Sequence, residues 1–173
     1  MLKTTSIITL LVLFIFSCDS SETSAQTNNN DASGVAWVPL HTAIENAQAD
    51  GKKILIDVYT EWCGYCRRMN AETYADATVQ ETLNNYFYPV RLNAESKNFI
   101  DFAGQAVTEQ ELALAFGVRG YPTTVILDSD GSAVGRQPGF MDATDFNNLL
   151  SYVGSNAYKN TEYDDFINRN KDN

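Results

Sequence analysis

Apolar and polar positions switch between two periods from residue 34 onward. Lys53 to Tyr59, KILIDVY, is a nearly continuous apolar run, the pattern of a central strand buried on both faces. Phe87 to Asn93, FYPVRLN, reads as another strand, weakened in its middle by Pro89. Thr123 to Leu127 and Ser132 to Gln137 read as a hairpin around Asp128-Ser129-Asp130-Gly131. Val35 to Val38 adds a short strand ahead of these. Between the strands the period becomes helical. His41 to Asp50 predicts a helix stopped by Gly51. Tyr65 to Asn84 predicts one long helix. Thr108 to Phe116 predicts a helix opened by a capping box, Thr108 with Glu111, and ended by Gly117. Asp142 to Val153 predicts the last long helix, with Phe146, Leu149, Leu150 and Val153 on one side. The order β-α-β-α-β-α-β-β-α needs crossovers, hence parallel strands, and its final hairpin is antiparallel. The expected class is α/β: a central mixed sheet with helices on both faces.

The two ends break this pattern. Lys3 followed by the apolar stretch Ile7 to Phe16 has the form of a secretory signal. The stretch falls well short of the roughly 20 residues of a spanning helix. It ends in Ser17-Cys18, which looks like a bacterial lipobox: residues 1–17 would be removed, and Cys18 would carry lipid and begin the mature chain. Residues 19–33 hold no aromatic and no large aliphatic side chain, so residues 18–33 are read as the lipidated cysteine and a flexible tether. The domain then runs over residues 34–154. Residues 155–173 are a polar tail, in which Tyr158, Tyr163, Phe166 and Ile167 favour a short helix.

Composition narrows the function. With 22 acidic against 12 basic residues the formal charge is −10, which argues against nucleic acid and against a polybasic membrane contact. Three cysteines in 173 residues exclude a disulfide-stapled miniprotein.

The chemistry concentrates in Trp62-Cys63-Gly64-Tyr65-Cys66, where a buried strand hands over to a helix. Two residues between cysteines let one helical turn bring both sulfurs together. Cys63 at the helix N-terminus is favoured as a thiolate, and Cys66 lies one turn inside. An exposed Cys63 would attack a disulfide and a shielded Cys66 would resolve the mixed disulfide. Zinc, copper and a structural disulfide are the other uses of such a pair. Zinc needs four ligands, and beside the pair only His41 remains, itself read as a surface residue at a helix start. A disulfide closing so short a loop stabilises little. Asp57, six residues before Cys63 in an otherwise apolar strand, is a desolvated carboxyl whose pKa burial would raise, suited to accept a proton from Cys66. Capping of a strand end is its plainer role. Trp62 reads as a partly exposed platform or as core.

ILIDVYTEWCGYCRRM and FGVRGYPTTVILDSDG together resemble the two signatures of the thioredoxin family, over about Lys52 to Leu150. With Gly139-Phe140-Met141-Asp142, the chain is especially similar to thioredoxin-like envelope lipoproteins and to the C-terminal thioredoxin-like domain of the transmembrane reductant carrier DsbD. The resemblance implies a thioredoxin-like three-layer α/β/α fold. It implies a redox disulfide Cys63–Cys66 with Asp57 as the buried carboxylate beneath it. It implies a cis Pro122, where an ordinary trans proline opening a strand is the alternative. The substrate-binding positions would be Trp62, Gly64, Tyr65, Tyr121 and Pro122. Departures from the pattern are Gly64-Tyr65 between the cysteines, Tyr121 before the proline, Arg67 and Arg68 after the motif, Ala71 in place of a kinking proline, and a longer segment from Glu95 to Val107 that would add to a substrate surface.

The expected function is that of a monomeric, lipid-anchored thiol–disulfide oxidoreductase of the bacterial cell envelope, facing the periplasm. It would reduce oxidised envelope proteins, apocytochrome c among the candidates, with no cofactor. An envelope is oxidising, so a transmembrane reductant carrier would supply electrons. The competing expectations are a disulfide oxidase or isomerase, and a binding module for a protein partner or copper without turnover.

Overall fold

The computed structural model describes residues 33–171. The stretch read as a signal peptide, Cys18 and the residues read as a tether up to residue 32 lie outside the described residues. The first helix, α1 (Leu40–Asp50), is followed by β1 (Lys53–Tyr59), α2 (Gly64–Glu72), α3 (Ala77–Tyr86) and β2 (Phe87–Asn93). Next come β3 (Phe99–Phe102), β4 (Gln105–Thr108), α4 (Glu109–Ala115), β5 (Thr123–Leu127) and β6 (Ala133–Pro138). The chain closes with α5 (Ala143–Gly154), a single 3-10 turn (Ala157–Lys159) and α6 (Tyr163–Lys171). Among the described residues no helix is long and apolar enough to cross a membrane.

The main sheet has the order β2-β1-β5-β6, with β1 parallel to β2 and antiparallel to β5. Six of the seven β1 positions are buried, because helices cover both of its faces. Side chains alternate across a strand, so Ile54, Ile56 and Val58 point to one face and Leu55 and Asp57 to the other. The first face packs on α1 and α4 through Leu40, Ala43, Ala47 and Leu112. The second packs on α2, α3 and α5 through Met69, Leu83, Phe146 and Leu150. The architecture is the mixed α/β sheet between helix layers that the alternating periods predict. Pro89 is tolerated because β2 is an edge strand, and Pro89 O accepts from Val38 N–H at 2.9 Å.

Three elements differ from the sequence reading. Val35 to Val38 is no strand; it is extended chain whose Val35 and Trp37 pack on one core and Val38 on the other. The single helix read from Tyr65 to Asn84 is two. α2 ends at Glu72, and Asp76 opens α3 by accepting from Thr78 N–H at 2.8 Å and Val79 N–H at 3.2 Å. The break is held by Thr73 Oγ1, which donates to Met141 O at 2.6 Å, and by Tyr74, whose ring packs edge-on against Trp37 and Phe146. Residues 99–108 form an unforeseen hairpin, turning at Ala103 and Gly104, both left-handed (φ 54° and 75°).

The tail docks on α5, where Tyr152 meets the rings of Tyr158, Tyr163 and Phe166. Beneath it lies buried Lys53, whose Nζ donates to Asp128 Oδ1 at 3.0 Å and Asn156 Oδ1 at 2.9 Å. The Lys53 bond first, then the Ser129 N–H and the nearby Lys159 charge, lower the Asp128 pKa from 3.8 to about 2. A depressed carboxylate pKa contributes stability above the unfolded value, and that contribution is lost as pH falls through the folded one. Ionisation of Asp128 therefore contributes roughly 1–2 kcal/mol to stability at neutral pH once solvent screening is allowed for. Asp128→Asn should be less stable than the parent above pH 4, and the two urea-denaturation free energies should converge toward pH 2. Parallel curves over that window would refute this account.

Candidate active site

β1 ends at Tyr59, and a short loop delivers Cys63 to the N-terminus of α2. Cys63 is the N-cap residue, with extended backbone, and is joined to Cys66 by a disulfide. Their Cα atoms are 5.3 Å apart. Cys66 N–H donates to Cys63 Sγ at 3.0 Å, and Cys63 N–H donates to Thr60 O at 3.2 Å. The first sulfur thus sits where unpaired helix N–H groups converge, which favours negative charge on it. The exposure contrast expected of the two cysteines is absent: Cys63 is 4% and Cys66 5% exposed in the disulfide form. The residues that flank them supply the exposed surface instead. What distinguishes the sulfurs is position on the helix.

Two aromatic pairs flank the disulfide. Trp62 is 65% exposed and meets Tyr121 edge-on, with centroids 6.0 Å apart. Its indole N–H donates to Glu95 Oε1 at 2.9 Å, so the segment after β2 steadies the ring. Tyr65 is 63% exposed and leans on Phe140 at 6.3 Å. Trp62 is thus no core residue. The Tyr121–Pro122 peptide bond is cis, and Pro122 O accepts from Gly139 N–H at 2.8 Å. Gly64 starts α2 between the cysteines, and a Cβ there would come within 3.8 Å of the Arg67 guanidinium. Arg67 Nη1 donates to Glu61 O at 3.0 Å, and Arg68 is paired with Glu72 at 2.9 Å. His41 lies in the first turn of α1, its Nε2 3.2 Å from Thr42 Oγ1.

Asp57 is buried beneath this surface, 3% exposed. It shares the sheet face of Leu55, the face on which α2 packs through Met69, and Cys66 lies one turn before Met69 on the buried side of α2. The carboxyl is not the lone charge that an apolar strand leads one to expect. β2 runs parallel in the register Asp57↔Arg91, and Arg91 Nε lies 3.5 Å from Asp57 Oδ2. The guanidinium is held over the rings of Tyr59 at 4.3 Å and Trp37 at 5.4 Å. Burial disfavours the carboxylate and the guanidinium favours it, so desolvation does not act on Asp57 unopposed. Burial, the largest influence, also raises the pKa of the Tyr59 phenol above its usual 10.0, so it stays neutral here.

Sequence reading did not identify Arg91 as part of the site; it named Glu95 only as the start of a segment expected to add to a substrate surface, and Phe140 only within a family motif. Arg91 had a signal, an arginine inside an apolar strand, but only the register gives it a partner. Glu95 and Phe140 reach the site through loops whose paths local pattern does not encode.

Comparison with known proteins places these features. A thioredoxin-like domain family matches residues 40–154. The thiol:disulfide interchange protein DsbD of Actinobacillus pleuropneumoniae is 29% identical over 139 residues, which are 73% of this chain and 22% of that protein. The chain thus spans about a fifth of the length of that relative. Among solved structures, a thioredoxin-fold protein from Helicobacter pylori superposes with a TM-score of 0.61 at 23% identity, covering 69% of this chain and 80% of that one. A thioredoxin from Thermus thermophilus gives a TM-score of 0.56 at 29% identity, covering 69% and 86%.

Proposed function

The chain belongs to the thioredoxin-like domain family, and from that premise we propose that it is a thiol–disulfide oxidoreductase that reduces disulfides of bacterial envelope proteins. One observation carries the reading: a disulfide whose first sulfur caps a helix between exposed aromatic side chains. Such a sulfur is stabilised as a thiolate, and the exposed rings beside it offer a surface on which another protein can dock. Similarity to a thiol:disulfide interchange protein supports the same chemistry. The signal-like N-terminus and Cys18 support an envelope site with a lipid anchor facing the periplasm. Cys18→Ala, followed by membrane fractionation, tests the anchor.

The cycle uses only the protein's own groups. In the dithiol form, Cys63 thiolate attacks one sulfur of the substrate disulfide, and the other substrate sulfur leaves as a thiolate. The Cys66 thiol gives its proton to Asp57, directly or through one water. Cys66 then attacks Cys63 Sγ, which releases the second substrate sulfur as a thiolate, to be protonated by Asp57 or water, and leaves the Cys63–Cys66 disulfide. Two electrons have passed to the substrate, and a transmembrane reductant carrier supplies two more to reopen the Cys63–Cys66 disulfide. Tyr121, Pro122, Trp62, Gly64 and Tyr65 form the surface on which the substrate segment lies.

The deciding measurement is the equilibrium potential of the pair against glutathione. A reductase should lie near the value of about −270 mV known for thioredoxin, and an oxidase toward about −120 mV. A value at the oxidising end would replace this reading with disulfide formation.

A further inference from the structure

Phe140 lies in the loop between β6 and α5, and that loop is tied down at both ends. Gly139 N–H donates to Pro122 O at 2.8 Å, and Met141 O accepts from Thr73 Oγ1 at 2.6 Å. The ring is thereby fixed beside the first turn of α2. Tyr65 approaches it at 6.3 Å with the planes tilted 43°. Arg68, three residues on and therefore on the same side of α2, sets its guanidinium 4.5 Å from the Phe140 centroid. Arg68 is itself held by Glu72 at 2.9 Å. Most of Tyr65 nevertheless faces solvent, so the assembly is prebuilt and uncovered. An aromatic ring left in water beside a reactive sulfur gains by being covered during reaction.

The geometry points to Tyr65, Phe140 and Arg68 as a specificity subsite of the redox centre, one that selects protein disulfides carrying a bulky apolar or aromatic side chain close to the reacting cysteine. This rests on the oxidoreductase reading above. Tyr65 follows Cys63 by two residues on one helical turn, a span of about 5–6 Å. An extended substrate chain rises about 3.3 Å per residue, so the selected side chain lies about two residues from the substrate cysteine. Tyr65 gives it an exposed ring backed by half-buried Phe140, and the outer side of the Arg68 guanidinium that lies on Phe140 adds attraction for an aromatic one. A charged or small side chain there gains none of this burial.

The test uses short peptides with one cysteine, activated as its mixed disulfide with 5-thio-2-nitrobenzoate, and the purified protein in its dithiol form. Cys63 thiolate attacks the peptide sulfur, the peptide–nitrobenzoate bond breaks, and the coloured thiolate leaves. Cys66 then displaces the peptide thiol. A peptide with Phe two residues from its cysteine should react about tenfold faster than one with Ser, a ratio one partly buried side chain supplies. Phe140→Ser should bring the ratio close to one, and Phe140→Leu should keep most of it. Should Phe140→Ser fail to fold, Tyr65→Ser, already at an exposed position, carries the same measurement. Equal rates for the two peptides in the parent, or an unchanged ratio in both serine variants, would overturn the subsite. Failure of the parent to reduce 5,5′-dithiobis(2-nitrobenzoate) itself would overturn the oxidoreductase reading instead.

Discussion

Cys63→Ser is expected to bring insulin-disulfide reduction down to the uncatalysed background, whereas Cys66→Ser should accumulate protein joined to substrate by a mixed disulfide. The two outcomes differ because the sulfurs do different work. Cys63 caps α2 and receives the Cys66 N–H at 3.0 Å, so charge on its sulfur is stabilised by a helix terminus and by a directed donor. Its thiolate fraction at neutral pH should exceed that of Cys66, which lies inside the helix over the sheet. Equal burial in the disulfide form means that exposure alone does not assign these roles. Reduction opens the bond, and the cap position decides which sulfur is ionised. Iodoacetamide should therefore label Cys63 first in the dithiol form, and its rate should follow a pKa below the usual value of about 8.5. Faster labelling of Cys66, or mixed disulfides trapped by Cys63→Ser, would exchange the two assignments.

How much of this was legible in the sequence follows from what each residue depends on. β1 was readable because burial on both faces leaves an unbroken apolar run, and the capping box of α4 was readable because it is local. Val35 to Val38 failed for the complementary reason. Four apolar residues look like a strand, yet they pack on two cores without a ladder, and only tertiary contacts tell these apart. The α2–α3 break had a local signal in Asp76, a good N-cap, but no glycine or proline marked the stop. The Cys63–Cys66 pair and the cis Tyr121–Pro122 bond sit in contiguous motifs that a sequence displays whole. Arg91 comes from a parallel register that no local pattern displays, while Glu95 and Phe140 lie in segments that the family resemblance marks without giving their contacts with Trp62 and Tyr65.

The Asp57–Arg91 pair yields the second expectation, because removing its two members has unequal consequences. Arg91 is 27% exposed at its side chain and Asp57 only 4%. Once Asp57 is made neutral, the guanidinium keeps its contacts with Tyr59 and Trp37 and reaches solvent. Asp57→Asn should therefore stay within about 1 kcal/mol of the parent in chemical denaturation. Arg91→Leu leaves a carboxylate buried without its cation. Breaking a fully buried pair costs about 3–5 kcal/mol, and partial exposure here reduces that to roughly 2 kcal/mol. Catalysis should respond in a different order. Asp57→Asn deletes the proton acceptor for Cys66, so decay of the mixed disulfide should slow by about 10²-fold while formation by Cys63 is nearly unchanged. Arg91→Leu keeps the acceptor and disfavours its charged form, so resolution should persist with its pH dependence displaced upward. Stopped-flow traces of mixed-disulfide formation and decay, with denaturation curves for the same proteins, read all four quantities. A large stability loss in Asp57→Asn with an unchanged decay rate would make the carboxylate structural, and the proton of Cys66 would then have to leave by another route.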